Sequence, residues 1–163
     1  MNDFNPNRKE YDPRMHSAEH ILNQTMIRMF NCGRAFSAHI EKKKSKCDYR
    51  FDRDLTPDEI AAIEKTVNDI IGLDLPIKEC FLSRAEAARR VTLTKLPEDA
   101  GETIRVVTIG DYDACPCSGP HASSTRAIGT FKIASTAFEN AVLRIRFKLA
   151  ELDSPKPALG EGA

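Results

Sequence analysis

The sequence lacks several features that mark whole classes of proteins. It has no tryptophan and only 7% aromatic residues, so it does not indicate a platform of aromatic side chains for stacking nucleic-acid bases. No apolar run approaches the ~20 residues of a membrane span, and the polar start MNDFNPNRKE does not resemble a secretory signal. We therefore expect a cytoplasmic protein with no membrane partner. Its 24 basic and 24 acidic residues cancel, which excludes an overall field that attracts polyanions.

Cysteine is present, but not in a disulfide pattern. The five cysteines are an odd number without framework spacing, which favours reduced thiols or metal ligands over a disulfide scaffold. The 163 residues, 41% of them hydrophobic, fit one globular domain spanning residues 1–163. Within it, residues 1–10 are expected to be a loose tail and residues 153–163 a disordered one, because both offer little to bury.

The hydrophobic pattern predicts helices early and strands late in the chain. Apolar residues recur at three- and four-residue intervals over residues 13–30, typical of an amphipathic helix, and Gly33 fits its stop signal. Thr56 and Pro57 start a second helix, which Gly72 ends. Without a repeating strand-helix rhythm, this order predicts an α+β fold with a mainly antiparallel sheet. The other predicted elements are a strand pair (AFSAHIE and KCDYRFD), a strand (LPIKECFL), a short helix (SRAEAARR), a loop (LPEDAG) and three late β-rich stretches.

The residues best suited to chemistry form two pairs with the same four-residue spacing. His16 and His20 lie one helical turn apart in HSAEH, so both imidazoles can converge on one ion. Cys117 and His121 repeat the spacing in CSGPH, across a Gly-Pro turn that cannot be ordinary helix. One thiolate and three imidazoles suit Zn²⁺ better than Mg²⁺ or Ca²⁺. The sequence therefore predicts a zinc site.

The alternative interpretation is that the histidine pair is a polar stripe and CPCSGPH an ordinary turn. Three of only four histidines in two matched spacings favour the metal. Glu19 does not directly follow the first histidine, as the glutamate of zinc proteases does, and is interpreted as a solvated helix residue. Three of the remaining cysteines have no partner at ligand spacing and are interpreted as small hydrophobic residues: Cys32, Cys47 and Cys80. Cys115 precedes a proline, which is expected to bend the chain away from the site.

These motifs carry a resemblance to a known family. HSAEHIL, followed far downstream by IGDYDACPCSGPHASSTRAIGTFKI, resembles the editing domain, or second additional domain, shared by alanyl- and threonyl-tRNA synthetases. The resemblance is collinear from Met15 to Phe147 and includes the LTPDEI helix, the SRAEA segment and the closing VLRIRF strand. Two metal pairs joined by collinear elements are more specific than one short motif. Since the chain has no room for a synthetase catalytic core, it is most similar to the short, free-standing AlaX-type trans-editing proteins.

The resemblance implies a zinc-dependent aminoacyl-tRNA deacylase, a carboxylic ester hydrolase that acts in trans on the acceptor end of mischarged tRNA. It places the catalytic zinc on His16, His20, Cys117 and His121, where the metal would polarise the ester or activate water. Four protein ligands would close a tetrahedral site, whereas catalytic zinc usually keeps one position open. One of the four residues, such as His121, could be a labile ligand or could contact the ligands without binding the zinc itself. Alternatively, the coordination number of the zinc increases when substrate binds.

Serine is the amino acid that such a domain is expected to remove, with glycine as an alternative. A pocket that pairs a seryl hydroxyl rejects alanine strongly. CSGPH is closer to the threonine type, whereas GTFKI and VLRIRF look alanine-type, so Ser-tRNA(Ala) is the first expectation and Ser-tRNA(Thr) the second. Expected pocket residues are Gly119, Thr125, and Ser37 and His39, which stand where alanine-type domains carry a glutamine. A plain turn is the alternative for the first two, and a solvent-facing edge strand for His39.

Local positive charge predicts where tRNA phosphates would bind. A lysine-rich turn joins the two predicted strands of the early pair, and a second basic cluster lies in SRAEAARR. If the turn contacts RNA, affinity will fall with salt; a solvated loop is the equal alternative. The predicted tRNA-binding residues are Lys42, Lys43, Lys44, Lys46 and Arg50.

A second class of function fits the same residues. The zinc would then be structural, and the domain a non-catalytic module that binds tRNA or protein. A structural ion is needed for folding, so His121→Ala would unfold the protein, whereas a catalytic ion would leave a folded but inactive variant. A small-molecule esterase or amidase is a further alternative, and the oligomeric state is open.

Overall fold

Residues 11–91 and 102–150 are described by the computed structural model, and they form two antiparallel sheets with three α-helices. This confirms the predicted α+β class. The predicted tails and the LPEDAG loop lie outside the described residues. The elements are α1 Pro13–Phe30, β1 Ser37–His39, β2 Ser45–Arg50, α2 Pro57–Gly72, β3 Ile77–Ser83, α3 Arg84–Arg90, β4 Thr103–Ile109, β5 Asp113–Pro116, a 3₁₀ helix Thr125–Ile128, β6 Phe131–Glu139 and β7 Val142–Leu149.

Helix α1, which carries HSAEH, begins where the sequence predicts. Asp12 is its N-cap and accepts a hydrogen bond from the Met15 N–H at 3.1 Å, while Pro13 occupies the first turn. The predicted stop at Gly33 is wrong by two residues. The helix ends at Phe30 because Asn31 adopts the left-handed conformation (φ 52°) and its N–H caps Ile27.

Helix α2 has the predicted start, with a complete capping box. The Thr56 hydroxyl accepts from the Glu59 N–H at 3.2 Å, and the Glu59 carboxylate accepts from the Thr56 N–H at 2.9 Å. Gly72 is the last helical residue, as expected. The buried residues of α2 are Ile63, Val67 and Ile71, which recur at four-residue intervals. A single face of α2 therefore packs in the core.

The larger sheet has the strand order β1-β2-β7-β6, and all its pairs are antiparallel. The predicted early strand pair is confirmed, although β1 is only three residues long. Inward-facing residues of β2, β6 and β7 share one apolar cluster with α1 and α2. The largest fully buried side chains of this core are Tyr49, Phe131, Phe147, Met15, Ile21, Leu22, Met26, Ile63, Ile109, Ile128, Leu143 and Ile145.

The smaller sheet, with the order β3-β4-β5, brings the late motif to the first helix. Helix α3 covers one side of this sheet through Ala87, which packs with Ile104 and Val106. Strand β5 ends at Pro116 and approaches α1, so the CSGPH segment that follows lies against HSAEH. Among the described helices, none combines the length and apolar character that crossing a membrane requires.

Candidate metal centre

The two predicted pairs converge on one point. Helix α1 supplies His16 and His20, and the loop after β5 supplies Cys117 and His121; one donor atom from each lies within 4.8 Å of all the others. The Cys117 Sγ is 3.2 Å from His16 Nε2 and 3.4 Å from His121 Nε2. Ligands on a tetrahedral zinc with ordinary bond lengths are about 3.5 Å apart, so the donors are already near the spacing that zinc requires.

Contacts of the Nδ1 atoms orient the rings of His16 and His121. His16 Nδ1 lies 2.9 Å from the Pro120 carbonyl, which can only accept, so Nδ1 is the donor there and Nε2 is the nitrogen that faces Cys117. His121 Nδ1 lies 3.0 Å from the Ser17 hydroxyl, which also accepts from the Ala122 N–H. Such partners fix the ring orientation of metal-binding histidines. The donor set and its supports therefore fit a resident metal ion.

A buried carboxylate lies beside His20. Asp113 has a fully buried side chain and receives hydrogen bonds from both Arg34 terminal nitrogens (2.8 and 3.1 Å) and from Gln24 (2.9 Å). Its Oδ2 is 3.7 Å from His20 Nδ1, beyond hydrogen-bond length. Burial alone would raise the pKa of Asp113, but His20 and Arg34 hold it far below its usual value. Burial likewise opposes protonation of His20, yet Asp113 and neighbouring anions raise its pKa well above 6.5.

The electrostatics favour the ligand form of the thiol. Burial opposes ionisation of Cys117, but the surrounding imidazoles lower its pKa to about 3. Burial lowers the pKa of His121 to about 4, against the pull of the thiolate. A thiolate and a neutral imidazole are the protonation states that bind metal. Cys115, by contrast, is not part of the cluster, and burial raises its pKa.

Gly119 lets the loop after β5 approach His16 closely. A Cβ on this glycine would lie 2.5 Å from His16 Cε1 and 2.8 Å from His16 Nδ1, so only glycine allows the loop to approach the ring. The Arg105 guanidinium holds this approach by donating to the carbonyls of Cys117 and Gly119, both at 2.9 Å. Gly119 therefore adjoins the metal centre directly.

The structure does not bring the other predicted pocket residues into the cluster. Ser37 and His39 are exposed on β1, an edge strand, and His39 Nε2 lies 3.2 Å from the Glu41 carboxylate. Thr125 is fully buried; its hydroxyl lies 2.8 Å from the Leu75 N–H and also bonds the end of α2. Direct contact between Thr125 and a substrate is therefore not available in this conformation, because the side chain is enclosed.

Glu19 is placed differently from the sequence interpretation. It is not a solvated residue: its side chain is only 14% exposed, and its Oε2 lies 3.8 Å from His16 Nε2 and 3.9 Å from His20 Nε2. The spacing of three residues between His16 and Glu19 could have predicted this position, since residues three apart share a helical face. No local sequence pattern predicted a role for Asp113 or Arg34, because these two residues contact each other across 79 positions.

An open groove of about 340 Å³ lies beside His121 and is lined by residues of β3, β4 and the loop after β5. Its lining residues are Ile77, Lys78, Glu79, Arg105, Val107, His121, Ala122 and Ser123. The lysine-rich turn between β1 and β2 is elsewhere on the chain, with exposed Lys42, Lys43 and Lys44. Lys46 is half-buried on β2, and the Arg50 guanidinium lies 4.0 Å from the centre of the Phe36 ring.

Comparison with known proteins shows which domain this chain is similar to. Residues 104–145 match the profile described as threonyl and alanyl tRNA synthetase second additional domain, a segment that includes Cys117 and His121. The alanine–tRNA ligase of Fervidobacterium nodosum is 31% identical over 132 residues, which cover 80% of this chain and 15% of the ligase. Those of Pelotomaculum thermopropionicum and Methanopyrus kandleri are 30% and 32% identical, each over 85% of this chain and 16% of the ligase.

Over residues 104–145, the chain is similar to this second additional domain. It spans about 15% of the length of the ligases it matches, so the similarity concerns this one domain. The resemblance expected from HSAEH and CSGPH is thereby confirmed, and both motifs meet at a site able to hold a metal ion.

Proposed function

We propose that this domain is a zinc-dependent hydrolase that deacylates mischarged tRNA in trans, with Ser-tRNA(Ala) as the first substrate and Gly-tRNA(Ala) as the second. The observation that carries the proposal is the convergence of His16, His20, Cys117 and His121 in a chain similar to the synthetase second additional domain. The relatives are alanine–tRNA ligases, which favours alanine tRNA. Ser-tRNA(Thr) is the alternative indicated by the Gly-Pro form of CSGPH.

The residues of such a site would have separate roles. His16, His20, Cys117 and His121 would hold the ion, and Asp113 would keep the His20 ring in place. When bound, zinc supplies Lewis acidity for ester hydrolysis near neutral pH. His121 also lines the groove, so an ester bound there would lie beside the donor set.

Positive charge would guide the acceptor end. Lys78 lines the groove and can meet a terminal phosphate. The exposed lysines of the β1–β2 turn would contact phosphates farther from the ester. Both assignments, like the pocket roles of Gly119, Ser37 and His39, are part of the proposal.

A deacylation time course tests the proposal. Zinc-loaded protein is mixed with Ser-tRNA(Ala), Gly-tRNA(Ala) and Ser-tRNA(Thr), with Ala-tRNA(Ala) and Thr-tRNA(Thr) as cognate controls. We expect rapid loss of the seryl ester on alanine tRNA while Ala-tRNA(Ala) survives. Loss on threonine tRNA alone would select the alternative system. Survival of all three mischarged tRNAs at the buffer rate would refute hydrolysis.

A structural zinc is the second candidate, because four protein donors fill a tetrahedral site. His121→Ala separates the two, since its ring borders the groove and is half-buried. A catalytic ion predicts a folded, inactive variant. A structural ion predicts loss of the folded state, visible by circular dichroism.

A further inference from the structure

Glu19 is held at the metal centre by a network that leaves one of its oxygens free. The Asn23 amide nitrogen donates to Glu19 Oε1 at 3.3 Å. Asn23 cannot turn its amide around, because its Oδ1 accepts from the Tyr49 hydroxyl at 2.8 Å and from the Ala35 N–H at 3.0 Å. Glu19 Oε2 makes no hydrogen bond within residues 11–91 and 102–150, and it faces the Nε2 atoms of His16 and His20.

Other carboxylates near the centre are already engaged. Asp113 is enclosed and bonded by Arg34 and Gln24. Glu79, on the groove, is paired with Arg105. Glu19 is partly exposed and points its unbonded oxygen at the ligand nitrogens, so in the described part of the chain it is the carboxylate a small cationic group at the centre can reach.

The substrate class of the proposed function carries such a cation. In an aminoacyl ester the α-ammonium group is attached to the carbon next to the carbonyl at which hydrolysis occurs. We propose that the Glu19 carboxylate binds this α-ammonium, and that the domain therefore selects esters with a free α-amine. This inference rests on the proposed function and adds a recognition contact to it. A charged hydrogen bond to the substrate also penalises analogues that leave it unpaired.

Two substrates that differ only in the cation test the contact. Ser-tRNA is compared with the α-hydroxy ester on the same tRNA, in which a hydroxyl replaces the α-ammonium. We expect the wild-type protein to prefer Ser-tRNA in kcat/KM by about 10- to 100-fold, the range of one charge-assisted hydrogen bond. Glu19→Gln should remove most of this preference by slowing Ser-tRNA alone. Equal slowing of both esters would overturn the assignment and indicate a role in proton transfer.

Two readouts do not depend on turnover. Zinc content, measured by mass spectrometry, should be one ion per chain in both wild type and Glu19→Gln; loss of zinc from the variant would make Glu19 a metal ligand and overturn the proposal. Titration calorimetry with a seryl-amide analogue of the terminal adenosine should show about 10- to 100-fold weaker binding to Glu19→Gln. Unchanged binding, or no binding to wild type, would overturn it.

Glu139→Gln is the matched control. Glu139 is exposed where β6 meets β7, and its substitution removes the same charge without touching the centre. It should keep the wild-type preference for Ser-tRNA. If wild-type protein hydrolyses neither ester but binds the seryl-amide analogue through Glu19, the proposed function fails while the recognition contact stands.

Discussion

Asp113 joins the metal centre to the protein interior, because one carboxylate meets both His20 and Arg34. We predict that Asp113→Asn lowers zinc affinity about 10- to 100-fold, since the amide has the shape of the carboxylate but not its charge. Competition with a chromophoric chelator measures this loss. Asp111→Asn, in the exposed turn before β5, is the control and should bind zinc like wild type. Equal affinity in both variants would show that Asp113 does not support His20.

Cys117 gives a prediction for pH. Its pKa is lowered to about 3, below the usual value of about 8.5, so metal-free protein should keep one thiolate at pH 5. The stabilisation from this thiolate is complete above the unfolded-state pKa and is lost as pH falls through the folded one. Absorbance at 240 nm follows thiolate, and Cys117→Ser is the reference. Loss of the signal between pH 9 and 7 would contradict the prediction.

At the residue scale, the sequence predicted the four residues that cluster but not the residues that contact them from behind. Each pair lies within five consecutive residues, HSAEH or CSGPH. Local spacing was therefore enough to predict that the two members of a pair lie close together. Arg34 meets Asp113 across 79 positions and Gln24 meets it across 89. Such contacts follow from how β5 packs on α1, which no local pattern contains.

At the scale of elements, the sequence was most accurate where end signals were complete. Both Asp12 before Pro13 and the box of Thr56 and Glu59 satisfy free N–H groups with side-chain oxygens. The error at Gly33 arose because Asn31 can also adopt a left-handed conformation.

The lysine turn between β1 and β2 can be tested as a unit. Under the proposed function, replacing Lys42, Lys43 and Lys44 together by alanine should weaken tRNA binding. It should also lower the slope of log affinity against log salt by about 2 to 3, because each phosphate contact releases one counterion. Fluorescence anisotropy over a salt series measures both. Lys65→Ala, on the exposed side of α2, should leave the slope unchanged; an unchanged slope in the triple variant would remove the turn from the interface.

For the whole molecule, under the proposed function, removal of zinc should lower the stability of the protein without unfolding it. The apolar core formed by α1, α2 and the larger sheet contains none of the four donors, so chelation removes only the link between α1 and the loop after β5. We expect the midpoint of thermal unfolding to fall by about 5–10 °C, as the loss of a tight ligand implies. Far-ultraviolet circular dichroism at 25 °C should stay unchanged. Collapse of that spectrum on chelation would support the structural-zinc alternative.

The distribution of the donors along the chain also sets an order of events during synthesis. Cys117 follows His16 by 101 positions, and the segment between them forms the whole smaller sheet but only β1 and β2 of the larger one. A ribosome that has produced only α1 has made two of the four ligands, and a two-histidine site holds zinc weakly. Under the proposed function, high-affinity zinc binding is expected only after the loop that follows β5 has been made. Metal loading is thus expected to report that the helix made first has met the smaller sheet made later.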